Sequence, residues 1–253
     1  MLENRFVEVQ RIEIAAIPCL VIRARGCATP YPTVIYYHGW HSSKEQKRFE
    51  ASILASHGCQ VVVPDALHHG ERDPIDHDDP EMLDRYFNQI ILQTVTESPH
   101  LLAELVDHYG ADAERIGVMG SSMGGFAASG VLATNPTVKC LVTFNGACAW
   151  IKAEEIFREL EHKPSPPDEL VAKLALYDLW SNRDRLVERP ILMLHGDSDT
   201  QVPIDIQRYF YTEVAPLYAQ CPERLQLTEV PRMNHYVSTR MLAEAIEWFS
   251  RYL

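Results

Sequence analysis

Gly120-Ser121-Ser122-Met123-Gly124-Gly125 lies between an apolar run, Arg115-Ile116-Gly117-Val118-Met119, and a segment of helical character that stops before Pro136. Gly120, Ser122 and Gly124 fit G-x-S-x-G, a sharp strand-to-helix turn with serine at its tip. A side chain two residues before or after that serine would collide with neighbouring backbone, so glycine is needed at both places. The helix start supplies unpaired N–H groups and a positive dipole end, which suit an anion developing nearby. Two nucleotide readings of the same glycines fail. Gly120 and Gly125 have P-loop spacing, but Phe126-Ala127 stands where the Lys-Ser/Thr pair would hold phosphate and magnesium. The dinucleotide pattern G-x-G-x-x-G does not occur there either.

Outward from this turn, short apolar runs alternate with amphipathic stretches. Phe6 to Ile14 and Pro18 to Arg25 read as two antiparallel opening strands. Further strands are expected at Thr33–Tyr37, Gln60–Val63, Arg115–Met119, Cys140–Phe144, Ile191–Leu194 and Leu225–Leu227. Several are continuously apolar, as strands buried on both faces should be. Ser42 and Ser43 stand at capping-box spacing from Glu45 and Gln46, and open a helix carrying Phe49, Ile53 and Leu54. Ser98-Pro99 opens another, with Leu101, Leu102, Leu105 and Val106 on one face and Gly110 as its stop. The last helix runs from about Ser238 to Leu253, with Leu242, Ile246, Phe249 and Leu253 inward. Strand–helix alternation of this kind predicts a mainly parallel sheet of about eight strands with helices on both faces.

Residues 147–189 break the alternation. They hold Trp150, the turn Pro164-Ser165-Pro166-Pro167 and a helix from about Asp168 with Leu170, Leu174 and Tyr177 on one side. An insertion after a strand of such a sheet lies over the strand ends, where ligands bind. The segment is therefore expected to be a small helical cap within a single domain spanning 1–253. Trp150, Tyr177 and Trp180 would then wall the substrate pocket; the competing reading is that they pack the insertion onto the body.

A serine hydroxyl attacks only when a base takes its proton and a third group orients that base. In this topology the order along the chain is Ser, acid, His. His235 follows the last strand and precedes the last helix, which makes it the expected base; the other ten histidines all lie N-terminal to it. Asp197 and Asp199 both fall in the loop after Ile191–Leu194, and spacing does not choose between them. After Thr33–Tyr37 comes His38-Gly39-Trp40-His41, where Trp40 would give one oxyanion N–H and Met123, just past the nucleophile, the other. Asp76-His77-Asp78-Asp79 could suggest a cation, but it lacks the order and the glycine of an EF-hand, so an acidic solvated loop is expected.

The net charge of −12 argues against nucleic acid or an anionic membrane as the main partner. Six scattered cysteines without a C-x-x-C pair give no zinc or redox motif and read as free thiols. No cofactor and no metal are implied. No stretch of about 18 apolar residues suggests a membrane span. Met1-Leu2-Glu3-Asn4-Arg5 shows no signal-peptide pattern, so a cytoplasmic protein is expected. The sequence leaves open whether copies of the chain associate.

The chain resembles an α/β-hydrolase over nearly its whole length. Within that superfamily it is similar to small serine esterases of the prolyl-oligopeptidase and dienelactone-hydrolase branch. The match rests on Tyr37-His38-Gly39-Trp40, Pro64-Asp65 with His69-Gly70-Glu71-Arg72, Gly120 to Gly125, His195-Gly196-x-x-Asp199-x-x-Val202-Pro203, and Asn234-His235. The resemblance selects Asp199 over Asp197 as the acid and makes Asp65, His69 and Arg72 loop-bracing residues. It implies catalysis by Ser122, Asp199 and His235 on a small-molecule ester, a carboxylesterase reaction on small to medium acyl groups. A short-peptide peptidase and an acyl-thioesterase share that triad, and a non-catalytic binding protein on this fold is a further alternative. No propeller domain is expected, since the strands begin near residue 6; further departures are Ser122 in place of the dienelactone hydrolases' cysteine and Trp40-His41 in place of further oxyanion glycines.

Overall fold

The computed structural model describes residues 6–186 and 188–253; the reading of Met1–Arg5 lies outside them. In chain order the elements are β1 (Val7–Ile14), β2 (Ile17–Ala24), β3 (Tyr31–Tyr37), α1 (Arg48–Ala55), β4 (Gln60–Pro64), α2 (Pro80–His108), β5 (Ala111–Ser121), α3 (Met123–Thr134), β6 (Val138–Phe144), α4 (Trp150–Leu160), α5 (Asp168–Ala175), β7 (Ile191–Gly196), α6 (Asp205–Val214), β8 (Leu225–Val230) and α7 (Thr239–Tyr252). The strands form one eight-stranded sheet in the order β1-β2-β4-β3-β5-β6-β7-β8. β1 with β2 and β2 with β4 pair antiparallel, and every other pairing is parallel. The expected architecture is the one found.

Strand alternation divides the core into two layers. In β3, Ile35 and Tyr37 pack towards α2, α3 and α6, whereas Val34 and Tyr36 pack towards α1 and α7. In β7, Ile191 and Met193 join the first layer and Leu192 and Leu194 the second. Helices therefore cover both faces, which is why the parallel strands read as unbroken apolar runs.

Two helix boundaries differ from those expected. α1 starts at Arg48, with Lys47 as its N-cap and no side-chain capping bond, so Ser42 and Ser43 do not open it. The segment before it is held instead by Asp65, whose Oδ1 accepts the Lys44 N–H at 2.9 Å and whose Oδ2 takes the Lys44 ammonium at 2.5 Å. Phe49 is 66% exposed rather than inward. Nor does Ser98-Pro99 open a helix: α2 begins at Pro80, capped by the Asp79 side chain, and runs through Pro99. Proline at 99 removes the N–H that would bond the Val95 carbonyl. The Ser98 hydroxyl takes that carbonyl instead, at 2.7 Å, and accepts Asn135 Nδ2 at 2.9 Å.

Residues 147–189 carry α4 and α5, with no strand among the described ones. Trp150 is buried at the start of α4. Its backbone N–H donates to Asp178 Oδ1 at 2.7 Å and its indole N–H to Ser129 Oγ of α3 at 2.9 Å. The segment is thus tied to the body at the first residue of α4, through Ser129.

Candidate active site

β5 ends at Ser121 and α3 begins at Met123, so Ser122 is the whole turn. Its φ is 55° and ψ −124°, outside the regions a side chain ordinarily tolerates. Two bonds hold it there: its N–H donates to the Phe144 carbonyl at 2.9 Å, and its own carbonyl accepts the Gly125 N–H at 2.7 Å. The flanking glycines are required by contact. A Cβ on Gly120 would overlap the Gly124 carbonyl, and one on Gly124 would overlap the Tyr37 carbonyl at the end of β3.

Asp199 and His235 meet as the sequence predicts. His235 Nδ1 donates to Asp199 Oδ2 at 2.7 Å, which leaves Nε2 as the proton acceptor. Asp199 Oδ1 accepts the N–H groups of Gln201 and Val202, each at 2.9 Å. Asp197 lies on the exposed side of the loop, where its Oδ1 accepts the Ser198 hydroxyl and the Arg232 N–H. Asn234 locks the two loops together, its Oδ1 accepting the N–H groups of Thr200 and His235 at 2.9 and 2.8 Å. Ser122 and His235 line one cleft of about 530 Å³. Among the described residues no Ser122–His235 hydrogen bond is formed; such bonds often close only around substrate.

The loop after β3 passes against the nucleophile. A Cβ on Gly39 would lie 3.3 Å from Ser122 Cβ and 3.9 Å from its Oγ. The Gly39–Trp40 peptide is therefore beside the Ser122 side chain. Met123 is the first residue of α3, so its N–H has no partner within the helix. These are the two N–H groups that the sequence reading offers as oxyanion donors. His38 orients the first: its Nδ1 donates to the Gly39 carbonyl at 2.9 Å, while its Nε2 accepts the Ala66 N–H at 3.0 Å. Burial pushes His38 down to about 4, so the ring stays neutral and keeps that bonding pattern. His69 Nε2 lies 2.6 Å from the Trp40 carbonyl, and Arg72 donates to the Asp65 carbonyl and to Glu97. These side chains brace the loop, as the resemblance implies.

Burial would raise the pKa of Asp199, but hydrogen bonds from His195, His235 and the Val202 N–H outweigh it and hold the carboxyl well below the usual range. The acid is thus ionised wherever the histidine can act as a base. His195 is fully buried, and its Nε2 lies 2.8 Å from the Val202 carbonyl and 3.3 Å from Asp199 Oδ2, the oxygen that faces His235. Replacing His195 by phenylalanine removes a donor from that oxygen. The carboxylate then favours the imidazolium more strongly, so the acid limb of kcat/KM is expected to move to higher pH. Gln, which keeps an N–H at the same reach, should hold the limb in place. A pH–rate series on the two variants checks this, and an unmoved limb in His195→Phe would show His195 to be packing alone.

Trp150, Tyr177 and Trp180 are not among the residues lining the cleft, which correct the expected pocket. Trp150 is 2% exposed in the core. Trp180 packs on Tyr209 of α6 with ring centroids 5.7 Å apart and lies under the Arg183 guanidinium, and Tyr177 packs half-buried against the core. The insertion packs through Phe157 of α4 on Phe126 of α3, ring centroids 6.4 Å apart, and the cleft is lined instead by Ser42, Gln46, Lys47 and Glu50 on the α1 side and by His235–Val237. Sequence reasoning also missed Asn145. Its Nδ2 donates to the Tyr236 carbonyl and its Oδ1 accepts the Gly196 N–H, both at 2.9 Å, so one side chain fixes the ends of β7 and the histidine loop. Its place directly after a strand was the available signal. Asp76–Asp79 form a turn whose last member caps α2, and among the described residues no group of three or more His, Cys, Asp or Glu could hold a metal ion.

The chain is 32% identical to YitV of Bacillus subtilis and 30% identical to the esterase YjfP of Escherichia coli, in each case across 98% of this chain and the whole of the relative. Its fold matches that of TT1662 from Thermus thermophilus, with a TM-score of 0.79 at 20% identity, covering 97% of each chain. The family model described as the prolyl oligopeptidase family matches residues 93–253, the span from the middle of α2 to the end that contains the serine turn, the acid loop and the histidine loop. On these matches the chain belongs to the prolyl oligopeptidase family, with the α/β-hydrolase fold.

Proposed function

We propose that the protein is a serine carboxylesterase acting on small to medium acyl esters. The observation that carries the reading is the Asp199–His235 pair, closed at 2.7 Å, facing the same cleft as a serine held on a strained turn. His235 Nε2 takes the Ser122 proton as Oγ bonds to the ester carbonyl carbon. The N–H groups of Trp40 and Met123 receive the oxyanion, each worth roughly 3 kcal/mol by the cost of deleting such a donor elsewhere. The C–O bond to the alcohol breaks, and the alcohol oxygen takes the proton from His235. Water then repeats the sequence on the acyl-serine, with His235 again as base. Asp199 holds the imidazole tautomer and stabilises its charge throughout.

The partner on this reading is a small-molecule ester, and no step calls for a cofactor. A cytoplasmic setting is supported by six cysteines that are all free, as a reducing compartment would keep them. Among the described residues, no helix is long and apolar enough to cross a membrane. The test is labelling with a fluorophosphonate, followed by a p-nitrophenyl ester series of increasing acyl length. The expected result is one label per chain, on Ser122, and turnover that peaks at short to medium acyl chains. A chain that takes no label and hydrolyses no ester would be a binding protein on this fold.

A further inference from the structure

The cleft beside Ser122 has an arm whose chemistry the reaction leaves unused. On the α1 side it is walled by Ser42, Gln46, Lys47 and Glu50. Of the aromatic residues that also line the cleft, Trp40 and Phe144 are 6% and 0% exposed, so a ligand meets little of them, whereas Tyr236, next to His235, is 72% exposed. On the α1 side a ligand meets a hydroxyl, an amide, an ammonium and a carboxylate. Glu50 is fixed from behind: its Oε2 accepts the hydroxyl of buried Tyr36 at 3.2 Å and lies 3.3 Å from Lys47 Nζ. Ser42 Oγ is shielded from solvent and has no hydrogen-bond partner among the described residues. A desolvated hydroxyl without a partner is uncommon, because nothing offsets the hydrogen bonds it gave up to water.

The arm's place relative to His235 says which part of an ester it meets. The leaving oxygen must lie by His235 Nε2, since it takes its proton there. Tyr236 and Val237 continue from His235 in the lining that also holds Ser42, Gln46, Lys47 and Glu50, so the alcohol leaving past His235 enters this arm. An alkyl group lying there would bury an amide and an ion pair against groups that cannot bond them, which is unfavourable. A group carrying hydroxyls would pair with Ser42 Oγ, the Gln46 amide and the Glu50 carboxylate.

We propose that this arm is a binding subsite for the hydroxyl-bearing alcohol part of the substrate, so that the preferred substrates are short-chain acyl esters of polyols or sugars. The inference rests on the esterase reading above and narrows it.

Glycerol monoacetate and n-propyl acetate form a matched pair, alike in acyl group and carbon count and differing in two hydroxyls. The wild type should hydrolyse the glycerol ester with kcat/KM at least about tenfold higher, because a site built to bond a hydroxyl discriminates against the analogue lacking it. Glycerol monooctanoate should be poorer than the monoacetate. Ser42→Ala should bring the ratio between the paired acetates towards one, and Glu50→Gln should do so independently if the first variant folds poorly. Equal rates on the pair in the wild type, preference for the octanoate, or a ratio that neither variant moves would overturn the subsite. These outcomes leave the esterase reading standing. That reading fails instead if neither acetate is hydrolysed and Ser122 takes no fluorophosphonate, and the subsite then falls with it.

Discussion

Ser122→Ala is expected to lower ester turnover on the order of a millionfold, leaving only what binding and the oxyanion donors achieve without a nucleophile. That is about 8 kcal/mol of transition-state stabilisation. The size follows from how the parts depend on one another. Without Oγ, the Asp199–His235 pair has no proton to take, and the Trp40 and Met123 N–H groups face no tetrahedral centre. The substitution removes one exposed-side atom from a turn whose backbone is held by Phe144 and Gly125, so the fold should persist. Steady-state rates with circular dichroism of the variant check both halves. A variant keeping a substantial part of the activity would refute Ser122 as nucleophile.

Asp199→Asn is expected to cost on the order of ten-thousandfold in kcat, while Asp197→Asn should change it little. Asparagine at 199 presents an amide that can force the wrong imidazole tautomer, with the proton on Nε2, where Ser122 needs a lone pair. The Asp197 carboxylate accepts the Ser198 hydroxyl and the Arg232 N–H, and neither reaches His235. Parallel kinetics on the two variants decide the matter, and losses of similar size would mean that the 2.7 Å bond to His235 is not what orients the base.

The residues of the candidate site were largely legible, because their signals are short motifs at the ends of strands. Gly120 is demanded by the Gly124 carbonyl of the same turn and Gly124 by the Tyr37 carbonyl at the end of β3, and His235 is placed by lying between the last strand and the last helix. Spacing could not separate Asp197 from Asp199, since both sit in one loop; only the turn through Gln201 and Val202 points one carboxylate inward. The helix starts at Ser42 and Ser98 failed for a different reason. Both patterns are sound as local chemistry, but Asp65 claims Lys44 from 21 residues away, and Asn135 completes the Ser98 bridge from 37 residues away. The pocket aromatics failed most fully. That an insertion follows a strand end is visible in sequence, but the side to which it folds depends on Trp150 finding Ser129 and Asp178, a long-range outcome.

Ser122 stands at φ 55°, a conformation that costs a residue with a side chain of order 1–3 kcal/mol. Glycine would relax that turn and delete the hydroxyl in the same step. Heat resistance and turnover therefore compete for this one position. A search for hardier variants that screens only for survival of the fold would be drawn towards glycine at 122, and would select a sturdier molecule that has lost its reaction.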